Sequence, residues 1–290
     1  MVVLGFLALC LCWSTTWQAI RYCLEGYPPL CGAALRFLLA TALLLIGLAV
    51  RRSSLHLPEG RRQHLALLAA GAVNGLGYAC VYVAEQTLTG GTAAVICASS
   101  PLFTLLLARL FGLEPLLPQR LLGMAMGLSG VSVLFADGLE LGGSHFQAML
   151  LAGIAAAVLW PLYGALLKRS AQHLPPLVST CYFLFYTALT LVLLSLLRGE
   201  SLPNLRLMPW SAHLGLLYLS IIGSVLAWTL YLWLLQRLEL SVLSTLGLIQ
   251  PVMAVAIDLL LGTAQLRLRG YVGASLVLLG MALSAWRRGR

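Results

Sequence analysis

The chain has 290 residues, of which 60% are hydrophobic and only 9% charged, with a mean hydropathy of +0.94. Soluble domains average about 45–50% apolar and about 25% charged residues, so this composition excludes a soluble globular enzyme, a disordered chain and a disulfide scaffold. The 18 Lys and Arg against 9 Asp and Glu, a net +9, are split among short connections, which fits topology signals rather than a nucleic-acid surface.

Apolar runs bounded by loop residues fall at 3–21, 28–50, 64–84, 91–111, 118–136, 147–167, 176–197, 210–235, 241–261 and 268–286. At roughly 20 residues per span, they predict an all-α integral membrane protein of ten transmembrane helices with short connections. The first run has no basic region ahead of it and no small-residue cleavage site after it, so it is read as a membrane helix rather than a leader. It carries Trp13 and Trp17 on one face. The second run carries Arg36 about nine residues in, roughly 12 Å deep at 1.5 Å per residue. A buried Arg is a functional candidate by default, and a structural anchor to backbone carbonyls is the reading preferred here. Arg51–Gln63 is the longest polar connection.

On the third run Asn74, Tyr78 and Tyr82 stand at i, i+4 and i+8, hence on one face. Their polar groups either line a substrate cavity or bond to neighbouring helices, as membrane bundles do routinely. Glu85 closes this run. Pro101 and Pro251 lie inside the fourth and ninth runs, where proline frees a backbone carbonyl. Ser99, Ser100 and Gln250 are placed to satisfy such groups. The prolines are either gating bends or static kinks. Trp160 and Tyr163 on the sixth run and Trp228 and Tyr231 on the eighth extend an aromatic set suited to apolar, aromatic or cationic groups, the alternative being an interfacial belt. Asp258, near the end of the ninth run, is either a proton-coupling carboxylate or a hydrated interfacial residue. Gly71-x-x-x-Gly75 and Gly123-x-x-x-Gly127, with Gly130, Gly273 and Gly280, form small faces for close helix packing.

Seven cysteines and five histidines are scattered without ligand spacing, so no metal and no cofactor is expected. With the N-terminus cytoplasmic, the inside connections hold twelve Lys and Arg and the outside ones five, so both termini are expected in the cytoplasm.

The two halves are related. Trp13 and Pro28-Pro29-Leu30 recur 147 residues on as Trp160 and Pro175-Pro176-Leu177. Pro101, Gly112, Gly123 and Gly130 recur 150 residues on as Pro251, Gly262, Gly273 and Gly280. Residues 1–140 and 141–290 thus read as two copies of a five-helix unit. Five is odd, so the second copy enters the membrane from the opposite side. Inverted repeats of this kind provide two near-equal states, opening inward and outward, with the substrate site between the halves at mid-membrane.

Each half also holds a small-rich helix, a proline, a Leu-Gly step and a Gly-spaced helix. The first copy is TAAVICASSPLFTLLLARLFGLEPLLPQRLLGMAMGLSGVSVLF and the second SVLSTLGLIQPVMAVAIDLLLGTAQLRLRGYVGASLVLLGMALSA. With ALRFLLATALLL before Arg51-Arg52, the whole chain resembles the EamA-type family of the drug/metabolite transporter superfamily. The resemblance implies ten helices, inverted repeats, a central cavity, and export or exchange of metabolites such as amino acids or of drug-like compounds, at a bacterial inner membrane. The family often has Leu-Gly-Glu after helices 4 and 9. Here the copies read Gly112-Leu113-Glu114 and Gly262-Thr263-Ala264, which makes Glu114 a loop or cap feature.

A secondary transporter of small molecules, with substrate and membrane lipid as its partners, is therefore the leading expectation. The sequence lacks the phosphate-binding G-x-x-x-x-G-K-[ST], H-E-x-x-H and G-x-S-x-G. ATP-driven transport and a membrane-embedded enzyme are set aside on that ground. A non-transporting scaffold would need no polar groups facing a cavity.

Overall fold

The structure, a computed structural model, describes residues 1–50, 60–84, 96–134, 136, 146–170, 174–201, 204–260 and 268–285. Most of the Arg51–Gln63 connection, Glu85 and the Gly262-Thr263-Ala264 step lie outside the described residues. Every element among the described residues is helical: α1 (Val2–Ser14), α2 (Thr16–Leu24), α3 (Pro29–Val50), α4 (Arg61–Ala84), α5 (Ser100–Leu110), α6 (Pro118–Leu134), α7 (Phe146–Ser170), α8 (Pro176–Leu197), α9 (Trp210–Ser220), α10 (Ala227–Leu235), α11 (Leu240–Ser244), α12 (Leu246–Leu260) and α13 (Leu268–Ala285).

Seven helical stretches among the described residues are long and apolar enough to cross a membrane: Val2–Leu24, Pro29–Val50, Arg61–Ala84, Leu151–Arg169, Pro176–Leu197, Trp210–Leu235 and Leu240–Ile257. The fourth, fifth and tenth predicted runs appear as helices of 11, 17 and 18 residues. The fourth starts at Ser100 because the chain turns at Ala98 and Ser99, and 91–95 lie outside the described residues.

Proline and glycine explain many of the boundaries. Pro29, Pro118 and Pro176 each open a helix, where the missing N–H has no intrahelical partner to lose. α5 and α8 both end on a glycine in the left-handed region, Gly112 at φ 67° and Gly199 at φ 72°. In each case the next N–H reaches back five residues, Leu113 to the Ala108 carbonyl and Glu200 to the Ser195 carbonyl. A side chain with a Cβ would be strained at either glycine.

A glutamate follows each of these turns and caps another helix. The Glu200 carboxylate accepts from the N–H groups of Leu30 (3.3 Å) and Cys31 (2.7 Å) in the first turn of α3, and from Ser195 Oγ at 3.2 Å. Glu114 accepts from the N–H groups of Leu240 and Ser241 at the start of α11. A helix N-terminus presents unpaired donors and a positive dipole end, which a carboxylate stabilises. Glu200→Ala should therefore cost about 1–2 kcal/mol. A lowered thermal midpoint in detergent is the expected reading, and an unchanged midpoint would count against the cap.

The chain forms two compact units, Met1–Val83 with Leu166–Arg237 and Ala84–Ala165 with Leu238–Arg290. Each takes helices from both halves of the sequence. In the first unit α3 packs on α8, α2 on α9 and α1 on α10. Gly71 and Gly75 let α4 press onto α8: a Cβ on Gly71 would meet the Phe183 carbonyl at 2.9 Å, and one on Gly75 the Thr187 carbonyl at 3.0 Å. In the second unit α6 packs on α13 through glycines, around a core of Ala98, Leu105, Met124, Val131, Leu248 and Val277.

Candidate functional site

The first unit concentrates most of the buried polar and aromatic groups anticipated from sequence. Two backbone irregularities and one buried charge frame it. The first span breaks at Thr15, between α1 and α2. There the hydroxyls of Ser14, Thr15 and Thr16 bond back to the carbonyls of Cys10, Cys12 and Trp13, at 2.7, 2.9 and 2.7 Å. Such back-bonding competes with the helical ladder and bends it. The eighth span contains a π-helical stretch, Ile221–Leu226, between α9 and α10. π turns shift the hydrogen-bond register and are frequent at functional sites. The third is Arg36 itself, which is 1% exposed in the middle of a membrane helix.

Arg36 joins these features. Its Nε donates to Ser224 Oγ at 2.8 Å and its Nη2 to the Gly223 carbonyl at 2.9 Å, both in the π stretch. Gly223 has no room for a side chain: a Cβ would lie 2.8 Å from Thr16 Cγ2 and 3.1 Å from Arg36 Nη2. The guanidinium sits 5.1 Å from the Tyr78 ring, within cation–π range, and Tyr82 lies beside it. No carboxylate among the described residues pairs with Arg36.

Asn74 is fully buried and donates through Nδ2 to Thr187 Oγ1 at 3.1 Å. Thr187 in turn donates to the Phe183 carbonyl at 2.8 Å. The Phe183 ring lies 4.8 Å from Trp228, which meets Trp13 edge-on at 5.2 Å and Tyr231 at 5.3 Å. Thr16, one turn beyond Trp13, carries the path to Gly223 and Arg36. The contacts run from Asn74 through Thr187, Phe183, Trp228 and Trp13 to Thr16, Gly223 and Arg36, whose guanidinium meets the ring of Tyr78, one helical turn from Asn74. Tyr78, Tyr82 and Tyr231 are all buried. Trp17, past the break at Thr15, is half-buried and outside the aromatic cluster.

The remaining sequence-predicted residues belong to the second unit: Ser99, Ser100, Pro101, Trp160, Tyr163, Gln250, Pro251 and Asp258. Pro101 is not an interior kink. It lies in the first turn of α5, after the chain turns at Ala98 and Ser99, so it costs no ladder bond there. Ser99 Oγ donates to the Ile96 carbonyl at 2.6 Å and Thr104 Oγ1 to the Ser100 carbonyl at 3.0 Å. Pro251 is interior to α12, and the Pro101 ring packs on Gly247, with 3.4 Å to a Cβ built there. Tyr163 is buried, while Trp160 and Gln250 are half-buried. Asp258 lies on α12, with its side chain outside the described residues. An apolar groove of about 590 Å³, lined by residues such as Met1, Leu48, Pro176 and Trp233, contains none of the predicted site residues.

Sequence reasoning missed Ser224, Gly223 and Thr187 as partners, and also Pro161 inside α7. A Gly-Ser pair in the middle of an apolar run was the available signal for the first two.

Seven helical stretches among the described residues are long and apolar enough to cross a membrane, and with the buried cation and polar groups of the first unit they define a multi-pass helical membrane protein. The sequence profile of the EamA-like transporter family matches residues 1–136 and 147–286, and the chain belongs to that family. It is 32% identical over 259 residues to the inner membrane transporter YedA of Escherichia coli K12, covering 88% of this chain and 80% of that one. It is 23% identical over 289 residues to the transporter YoaV of Bacillus subtilis, covering 98% and 97%. It is 27% identical over 274 residues to a probable terminal-alkyne amino-acid exporter of Streptantibioticus cattleyicolor, covering 93% and 89%. One solved crystal structure superposes with a TM-score of 0.79 at 22% identity, covering 98% of this chain and 96% of that one, and shares its fold.

Proposed function

We propose that the protein is a secondary transporter that exports or exchanges small metabolites such as amino acids by alternating access. The observation that carries this reading is the set of buried polar and aromatic groups in the first unit, in a chain of a transporter family. A mere scaffold would have no need to keep an arginine and an asparagine dry at membrane depth, where both are costly. The relative named a probable terminal-alkyne amino-acid exporter supports the same class of substrate.

Ten helices in two inverted five-helix repeats, with both termini cytoplasmic, complete the proposal. The glycine contacts in the second unit support the inversion. Gly123 meets Gly280 and Gly130 meets Gly273. Under the 150-residue offset these two contacts exchange with each other, as an antiparallel two-fold pair requires.

The test is uptake into proteoliposomes, with labelled neutral, aromatic and cationic amino acids and with or without a pH gradient. Asn74→Ala discriminates binding from folding. Thr187 keeps its bond to the Phe183 carbonyl when Asn74 is removed, so no donor is orphaned and the stability cost is about 0.6–1 kcal/mol. Saturable uptake by the wild type and a loss of at least about tenfold in the folded variant are expected, which corresponds to about 1.4 kcal/mol. Full activity in Asn74→Ala would make the residue packing only. Uptake of lipophilic drugs with none of the amino acids would move the substrate class to amphipathic compounds.

A further inference from the structure

Two atoms of this set carry a more specific reading. The Arg36 guanidinium uses Nε and Nη2 on the π stretch, while its Nη1 is buried with no hydrogen-bond partner. Asn74 uses Nδ2 on Thr187, while its Oδ1 is buried with no partner. The orientation of the Asn74 amide follows from its neighbour. The single Thr187 hydroxyl proton goes to the Phe183 carbonyl, so Thr187 receives a proton from Asn74 and takes the Nδ2 end. What remains at Asn74 is an acceptor, and what remains at Arg36 is a cationic donor.

The Tyr78 ring is 5.1 Å from the guanidinium, and Tyr78 follows Asn74 by one helical turn on the same face of α4. The Trp13 indole N–H, in the same run of contacts, is a second buried donor with no partner. A buried polar atom left unpaired costs about 1–3 kcal/mol, and more for a charged group. Such groups are few in native structures, and each has a specific reason, such as strain, a chemical role or a bound water or ion. Here the set contains a cation with no counter-carboxylate among the described residues, a neutral N–H donor and a neutral acceptor.

We propose that the first unit recognises the zwitterionic head of an α-amino acid, its carboxylate through Arg36 Nη1 with the Trp13 N–H and its ammonium through Asn74 Oδ1. The inference rests on the amino-acid reading of this same site. The carboxylate supplies the negative charge that Arg36 lacks, and Arg is the residue suited to a buried carboxylate pair. An asparagine oxygen accepts from an ammonium without introducing a second fixed charge beside the cation. The two bonds that hold Arg36 to Ser224 and Gly223 fix the plane of the guanidinium and so the direction of its Nη1 N–H groups. Selectivity then lies in the head group, and the aromatic cluster of Trp13, Phe183, Trp228 and Tyr231 faces the variable part.

The experiment uses the purified wild-type protein in proteoliposomes. Labelled L-phenylalanine, L-leucine and L-lysine are each competed by the unlabelled amino acid, by the matching amine without the carboxylate, and by the matching acid without the ammonium. Both truncated forms are expected to compete at least about 30-fold more weakly than the parent. Amines that compete as well as the parents overturn the Arg36 assignment. Acids that do so overturn the Asn74 assignment. In either case the amino-acid transport reading survives. If none of the three amino acids is taken up while a lipophilic cation is, that reading fails and this one with it. Arg36→Lys, checked for folding by its elution profile, keeps the charge and loses the fork. It should narrow the difference between amino acid and amine to under about fivefold. A variant that folds and still discriminates 30-fold would remove Arg36 from the site.

Discussion

Gly280→Leu is expected to yield no folded protein, whereas Gly47→Leu should behave as the wild type. The difference lies in what each side chain would meet. At Gly47 a Cβ has no heavy atom within 4 Å. At Gly280 it would run into the Gly123 carbonyl and meet the Gly127 amide nitrogen at 2.7 Å. The reciprocal contacts are equally tight: Gly123 to the Gly280 carbonyl at 2.5 Å, Gly273 to the Leu134 amide nitrogen at 2.6 Å, and Gly130 to the Gly273 carbonyl at 2.7 Å. The obstructing atoms are backbone, so no rotamer relieves the clash and α6 must part from α13. Parting strips contacts from Met124, Val131 and Val277, which are fully buried. Overpacking a core costs about 1–3 kcal/mol where side chains give way. Here the loss of dispersion contacts along the whole interface adds to it, and stabilities of about 5–15 kcal/mol leave little reserve. The measurement is the monodisperse fraction after detergent extraction, with the thermal midpoint of whatever elutes. A Gly280→Leu protein that elutes and melts like the wild type would show that α6 and α13 do not pack as described.

The glycine faces were legible because a helix repeats every 3.6 residues, so glycines four apart must share a side. The same arithmetic placed Asn74, Tyr78 and Tyr82 together. It also grouped Trp228 with Tyr231, whereas the likeness of the halves paired Trp13 with Trp160, which belongs to the other unit. What the pattern did not carry is the partner of each group. Arg36 was read as an anchor to carbonyls, and one of its two bonds is of that kind, but Gly223 and Ser224 lie 187 and 188 residues away. The π stretch was hidden for a related reason. A change of backbone register leaves apolarity unchanged, and 210–235 reads as one uniform run. Pro101 was misplaced because a proline in an apolar run looks interior unless the break before it is visible. The division into units is likewise not a chain-order property: helices assemble by their faces, so each unit draws on both halves of the duplicated sequence.

Arg120→Ala should be the most damaging charge deletion in the second unit. Arg120 is one of the twelve basic residues of the inside connections, yet it is 7% exposed and carries three contacts. Its Nη1 donates to Glu114 Oε2 at 3.1 Å and to Ser241 Oγ at 2.8 Å, and its Nη2 pairs with Glu239. The two acids are not equal partners. The Glu239 side chain is 35% exposed and stays hydrated without the arginine, so Glu239→Gln should cost under about 1 kcal/mol. The Glu114 side chain is 8% exposed. Deleting Arg120 leaves it with only the N–H groups of Leu240 and Ser241 to hold a buried negative charge. Breaking a buried pair from one side costs about 3–5 kcal/mol, chiefly through the charge left behind. The surviving amide donors place Arg120→Ala near the lower end, about 3 kcal/mol. Combining it with Glu114→Gln removes the stranded charge and should recover part of the loss, so the double variant is expected to melt above Arg120→Ala alone. Thermal midpoints of the four proteins in the same detergent decide the point. Strict additivity, with Glu114→Gln adding its own cost on top, would mean that the two side chains do not act as a pair.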